Sequence, residues 1–321
     1  MGTTIFDVAA MAGVSIATIS NVINGTRSVR PETRQRVLAA IENLGFVPDS
    51  SARHFKGKAH ISVGFIVPDI SNTFFAGLIG TIEELLDDNG HSLIVANTHE
   101  NPLREASRIR ALCSGGVDAL IISSSFEYYS DLAQCLPTDI PVVLLDRAPT
   151  GCPLDTITAD PSGAIIAGMG QLSAKGHKKV GFIGWKPELS TTRQRARAFQ
   201  EGAKEYDLIP CIRYTNFEMD SVSAVESMLS EGCSALLIGN SELCFGLASL
   251  ARSRQAVPEI LSFCDSQKFE QVFAGTSMIC QPTEEMGLAA GMRILSRLQN
   301  PGLSYRQTIL ECSYLDGFSL E

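Results

Sequence analysis

From residue 61 onward the chain alternates short apolar runs with amphipathic stretches, and this alternation restricts the architecture more than any other property of the sequence. Ile61-Ser-Val-Gly-Phe-Ile-Val67 is apolar almost throughout, as befits a strand covered on both faces of a sheet. Phe75 to Asn89 repeats its apolar residues at helical spacing, Ser92 to Asn97 reads as a strand, and residues 103–114 are helical again. Further strand-like runs follow at 118–123, 141–146, 179–184 and 234–239, with helical stretches between them. Repeated strand-helix-strand units predict an α/β body built from doubly wound parallel sheets with helices on both faces. In such sheets a ligand crevice forms outside the C-terminal ends of the strands.

The first 58 residues have a different chemistry. They hold seven Lys/Arg against four Asp/Glu, a charge of +3, so that the chain's total of −9 leaves −12 on the remainder. A small basic module joined to an acidic body suits a protein that meets phosphates at one end only. The module reads as three short helices. Thr4 begins a cap-like Thr-Ile-Phe-Asp with Ile5, Val8 and Ala12 as its buried stripe, and Gly13 makes a turn. Ser15 caps a second helix that turns Ile19, Val22 and Ile23 inward and leaves Ile16, Ala17, Ser20, Asn21 and Asn24 on the opposite face. Pro31 opens a third helix, expected to bury Val37, Leu38, Ile41 and Leu44 before Gly45. Two helices about a glycine turn form a helix-turn-helix or an ordinary helical hairpin. The small, polar outer face of the second helix favours the former, since a major groove accepts such a face.

The residues Asp7-Val-Ala-Ala-Met-Ala-Gly-Val-Ser-Ile-Ala-Thr-Ile-Ser-Asn-Val-Ile-Asn-Gly25 and Pro31-Glu-Thr-Arg-Gln-Arg-Val37 resemble the headpiece of the LacI/GalR family of bacterial repressors. Leu44-Gly-Phe-Val-Pro-Asp-Ser-Ser-Ala-Arg53 is similar to that family's hinge, and the likeness runs along nearly the whole chain. The resemblance implies a helix-turn-helix headpiece over 1–48, a hinge over 49–59 and a two-lobed, periplasmic-binding-protein-like body over 60–321. Lobe 1 is then about 60–160 plus part of 282–321, and lobe 2 about 161–281. It further implies a homodimeric transcription regulator, a repressor of sugar metabolism genes. Such a protein binds a palindromic double-stranded operator, and a small effector between the lobes, a sugar or sugar phosphate, sets its affinity. A purine effector and a stand-alone sugar-binding protein are the alternatives.

Residue roles follow the same likeness. Ile16, Ala17 and Asn21 are expected to read base edges. Asn21 stands where many relatives carry Arg, which exchanges a guanine contact for an amide suited to adenine. Thr4, Ser15, Thr18, Ser20 and Asn24 are expected to contact phosphates or cap helices. In the hinge, Phe55 replaces the usual Leu wedge of the minor groove, flanked by Arg53 and Lys56, although an inter-domain contact is the other reading of Phe55. For the effector the expected set is Phe74, Asp146, Arg147, Asp160, Arg195, Phe217, Asn240, Asp265 and Gln281. Arg195 is its anchor, because a planar guanidinium pairs two ligand oxygens. Cys264 stands where relatives carry the Asp that grips sugar hydroxyls, with Asp265 as its substitute.

Other chemistries find little support. Nine cysteines occur without a Cys-x-x-Cys pair, and the sequence holds no Gly-Lys-Ser/Thr loop, Gly-x-Ser-x-Gly elbow or His-Glu-x-x-His. No enzyme activity, metal or cofactor is therefore expected. No apolar run reaches the roughly 18 to 20 residues that cross a bilayer, and no signal-peptide pattern opens the chain, so a cytoplasmic protein without membrane contact is expected. The end of the chain lacks leucine heptads, which favours a dimer over a tetramer.

Overall fold

The computed structural model describes residues 4–24, 29–44, 60–215, 218–243, 258–264 and 276–317. It divides into two compact units, residues 1–61 and 62–321.

In the N-terminal unit, helices α1 (Ile5–Ala12), α2 (Ile16–Asn24) and α3 (Pro31–Leu44) enclose one small core. Val8, Ala12, Ile19, Val22, Val37 and Ala40 are its buried members. Leu38 departs from expectation, being 47% exposed. Val37, Ala40, Ile41 and Leu44 already complete an i, i+3, i+4, i+7 stripe, and Leu38 lies about 100° away from Val37 around the helix. Ala40 occupies the inward position instead.

The larger unit contains two parallel-dominated sheets, each of six strands among the described residues. Sheet one has the order β11-β5-β4-β3-β1-β2, from strands β1 (Ser62–Val67), β2 (Ser92–Asn97), β3 (Ala119–Ile122), β4 (Val142–Leu145), β5 (Asp155–Asp160) and β11 (Gln307–Glu311). Sheet two has the order β12-β10-β9-β8-β6-β7, from β6 (Lys179–Gly184), β7 (Ile209–Tyr214), β8 (Ala235–Ile238), β9 (Glu259–Cys264), β10 (Ser277–Cys280) and β12 (Ser313–Leu315). Among the described strands only β12 runs antiparallel to its neighbour. Helices α4 (Thr73–Asp88), α5 (Pro102–Ser114) and α6 (Tyr129–Ala133) follow strands of sheet one. Helices α7 (Ser162–Ala174), α8 (Ser190–Glu205) and α9 (Glu218–Ser230) flank sheet two.

The chain crosses between the lobes three times. It leaves lobe 1 after β5, returns from β10 through α10 (Thr283–Gln299), and leaves again from β11 to β12. Helix α10 packs along α4, where Gly287 and Gly291 admit Thr81 and Leu85; a Cβ on Gly291 would come within 2.5 Å of Leu85 Cδ2. The strand centres are fully buried aliphatics such as Ile66, Ile121, Leu144, Leu237 and Ile279, the double-sided burial that apolar runs of this kind require. Among the described residues no single helix is long and apolar enough to cross a membrane, and the described cysteines are free thiols.

Candidate nucleic-acid interface and ligand cleft

Helix α2 is held at its start by local hydrogen bonds. Ser15 Oγ accepts the Thr18 N–H at 3.3 Å and lies 3.0 Å from Thr18 Oγ1. Gly13, at φ +63°, makes the left-handed turn before it, a conformation that a side chain would disfavour. Burial of Ile19 and Val22 turns Ile16 and Ala17 outward, and leaves Ser20 and Asn21 half-exposed beside them. These are the positions expected to enter a groove. Thr4 and Ser15 serve as caps: Thr4 donates its N–H and hydroxyl to the Asp7 carboxylate at 2.8 and 2.7 Å, which holds that carboxyl below the usual range. The side chain of Asn24 and the hinge residues Arg53, Phe55 and Lys56 lie outside the described set.

The second site is a cleft between the lobes that encloses about 140 Å³, on the order of the space one six-membered ring fills. Its wall residues stand just beyond the C-terminal ends of strands. Asp69 follows β1, Glu100 follows β2, Asp146 and Arg147 follow β4, Trp185 follows β6, Asn240 follows β8, and Gln281 follows β10. Phe74 lies at the start of α4, where Asn72 Oδ1 accepts its N–H at 2.9 Å, and Arg195 projects from α8. Five of the expected residues besides Phe74 therefore meet here: Asp146, Arg147, Arg195, Asn240 and Gln281.

Their contacts fix the orientation of each. The two terminal nitrogens of Arg147 donate to the Glu100 carboxylate at 2.7 and 2.8 Å, a bidentate pair. Burial alone would raise the Glu100 pKa, but this pairing outweighs it and holds the carboxyl below its usual range. Arg147 Nε lies 3.6 Å from Asp146 without a hydrogen-bond acceptor. Arg195 stacks on Phe263, 3.8 Å from guanidinium carbon to ring centroid. It donates to the Gly239 carbonyl and, at 3.1 Å, to Gln281 Oε1. Gln281 Nε2 in turn reaches Asp146 at 3.5 Å, so a polar chain joins lobe 2 to lobe 1. Burial pushes the Asp146 carboxyl up against the opposing pull of Arg147 and Arg195.

Two wall residues have left-handed backbones without being glycine, Glu100 at φ +55° and Asp146 at φ +68°. Such conformations cost on the order of 1–3 kcal/mol each and gather at binding sites. Behind them, the fully buried Glu105 on α5 accepts the Ser124 hydroxyl and the Ser125 N–H, each at 2.7 Å. Burial pushes its pKa up to about 7.

Asp160 is a correction, for it does not line the cleft. It stands at the first lobe crossing, where its Oδ1 accepts the Ser162 N–H at 2.9 Å and Gln194 Nε2 at 3.3 Å. The carboxylate shapes the turn into α7. Phe217 and Asp265 lie outside the described residues, as does the Cys264 side chain. Glu100 and Trp185 were not anticipated, although both follow strand ends, the one signal that could have found them.

Comparison with known proteins accords with a DNA-binding headpiece joined to a two-lobed body. Residues 4–49 match the family model "Bacterial regulatory proteins, lacI family", and residues 60–286 match "Periplasmic binding proteins and sugar binding domain of LacI family". Catabolite control protein A of Priestia megaterium is 30% identical over 94% of this chain and 93% of its own length. The ribose operon repressor of Haemophilus influenzae is 27% identical over 96% of both chains. Among solved structures, the Lac repressor bound to ONPG superposes with a TM-score of 0.84 at 21% identity, covering 99% of each chain, a likeness of fold. With its three-helix headpiece and two-lobed body, the chain belongs to the lacI family of bacterial regulatory proteins and is a DNA-binding transcription regulator with an effector-binding body.

Proposed function

We propose that the effector is a single-ring sugar and that its binding in the cleft sets the affinity of a homodimer for a palindromic operator. The observation that carries this reading is the polar chain from Arg195 through Gln281 to Asp146. It offers a fork of donors, an amide and a carboxyl at one small cavity whose volume fits one ring. Phe74 supplies apolar surface against which the C–H face of a pyranose or furanose packs, while Phe263 backs the Arg195 guanidinium. Arg147 is neutralised by Glu100, and Arg195 faces the buried Asp146. The described cleft residues thus favour an uncharged sugar over its phosphate, since an anion gains most from a cation not already paired.

In this reading Ile16, Ala17 and Asn21 contact base edges, while Ser20 and the hinge cations Arg53 and Lys56 meet phosphates and Phe55 wedges the minor groove. Ligand in the cleft changes the relation of the two lobes, and operator and effector affinities shift by one shared coupling energy, typically about 1–3 kcal/mol. The protein works in the cytoplasm. Calorimetric titration of the full chain with ribose, glucose, fructose, their phosphates and free nucleobases tests the assignment. Saturable binding of a neutral monosaccharide that Arg195→Ala weakens about tenfold or more supports it. Binding of phosphates or nucleobases alone refutes it.

A further inference from the structure

A groove of lobe 1 outside the cleft opens at the other end of the sheet, by the N-terminal ends of β4 and β5, and encloses about 410 Å³. Leu136, Ile140, Pro141 and Leu154 give it apolar walls, and Tyr129 and Tyr305 close two sides. Arg297 also lines it, and behind Arg297 the fully buried Asp155 receives Arg293 Nε at 2.8 Å and Nη2 at 2.7 Å, together with Arg297 Nε. Two guanidiniums therefore share one carboxylate, and the nearest further acid on the wall, Asp139, is an exposed rim residue. Arg297 is 95% buried in its own right, its exposure being 5%, and its Nη2 has no acceptor. Tyr305 covers it at 4.2 Å while remaining 57% exposed itself. A buried donor with positive charge in excess, under an aromatic ring open to solvent, is the arrangement that an entering anion would complete.

We propose that this groove is a second ligand site, separate from the cleft, for a small organic anion that bears a carboxylate or phosphate on one apolar ring. The ring occupies the apolar trough and stacks on Tyr305, which swings aside, and the anionic group takes the open N–H of Arg297. The location gives such a ligand leverage. Asp155 opens β5, Arg293 and Arg297 belong to α10, and Arg306, whose N–H also reaches Asp155 at 2.8 Å, leads into β11. Each of β5, α10 and β11, the elements that lead into or out of the crossings, has its far end at this one hub.

Benzoate and phenyl phosphate are the probes, titrated calorimetrically against the full chain and against Tyr305→Ala, Thr138→Trp and Arg195→Ala. Thr138 is an exposed rim residue, so its replacement fills the groove without disturbing the core. Saturable millimolar or tighter binding of either probe is expected, kept by Arg195→Ala and weakened about tenfold or more by the other two variants. Which probe binds tells a carboxylate ligand from a phosphate. Absence of binding by both probes, binding unaffected by Tyr305→Ala and Thr138→Trp, or binding lost in Arg195→Ala would each overturn the proposal.

Discussion

Replacing Asp155 by Ala removes the one acid that holds two buried or half-buried guanidiniums and a backbone N–H. The residue is fully buried, and Arg297 beside it is 5% exposed, so water cannot take over the lost contacts without a rearrangement. Removing one partner of such a buried pair costs about 3–5 kcal/mol, chiefly because the surviving charge is left uncompensated. At about 2–4 °C per kcal/mol for a unit of this size, the unfolding midpoint of the body should fall by roughly 6–20 °C. Calorimetry of the full chain reads that shift, with Glu201→Ala as the control. Its i, i+4 pair with Arg197 is exposed on both sides, and the variant should change stability by about 0.5 kcal/mol or less. If Asp155→Ala costs no more than the control, the hub is not the structural tie described. The triple change Asp155→Leu, Arg293→Met, Arg297→Met should regain most of the loss, because a well-packed apolar set can replace a buried ion cluster.

Other expectations concern the two sites. Arg195→Ala should weaken sugar binding by about 1.5–3 kcal/mol, the range for hydrogen bonds from a charged donor, with the unfolding midpoint moving little; titration calorimetry reads both the loss and its selectivity. Asn21→Arg should move the operator preference from adenine towards guanine by about 1–3 kcal/mol at one position of each half-site, read by selection from random duplexes. Glu105 has a folded-state pKa of about 7, above the ordinary value of 4.5. Its protonated form is thus favoured by folding, and the stability it contributes is fully present below about pH 4.5 and lost as the pH rises through 7. The difference in unfolding midpoint between wild type and Glu105→Gln should therefore move in favour of the variant across pH 4.5–7, and a pH-independent difference would count against a neutral buried carboxyl.

The legible part of the fold is the part that periodicity controls. The strands at the sheet centres emerge from their apolar runs, since burial on both faces leaves no polar residue in β3 or β4 and only the half-buried Ser62 at the start of β1. The strands at the lobe crossings do not. Asp155-Thr-Ile-Thr-Ala-Asp160 and Gln307-Thr-Ile-Leu-Glu311 are short and mostly polar, so their pairing depends on long-range position that no local pattern states. Similar reasons divide the cleft. Arg195 and Gln281 were found by resemblance, and their meeting with Asp146 through one hydrogen-bond chain follows from the crossings. Glu100 escaped notice because it matters through a left-handed backbone and a partner 47 positions away. Asp160 differs in that its Oδ1 accepts the Ser162 N–H of the turn into α7, a local contact that the strand pattern does not state.

The central claim about the molecule is that the outer face of α2 reads DNA under control of the cleft. Selection of duplexes by the full chain, followed by affinity measurements at several salt concentrations with and without the monosaccharide that binds, tests this most directly. A twofold-symmetric site is predicted, with affinity falling steeply and linearly in log–log form against salt and shifted by the sugar in wild type but not in Arg195→Ala. Recovery of no symmetric sequence, or an affinity that neither salt nor any cleft ligand alters, would contradict it.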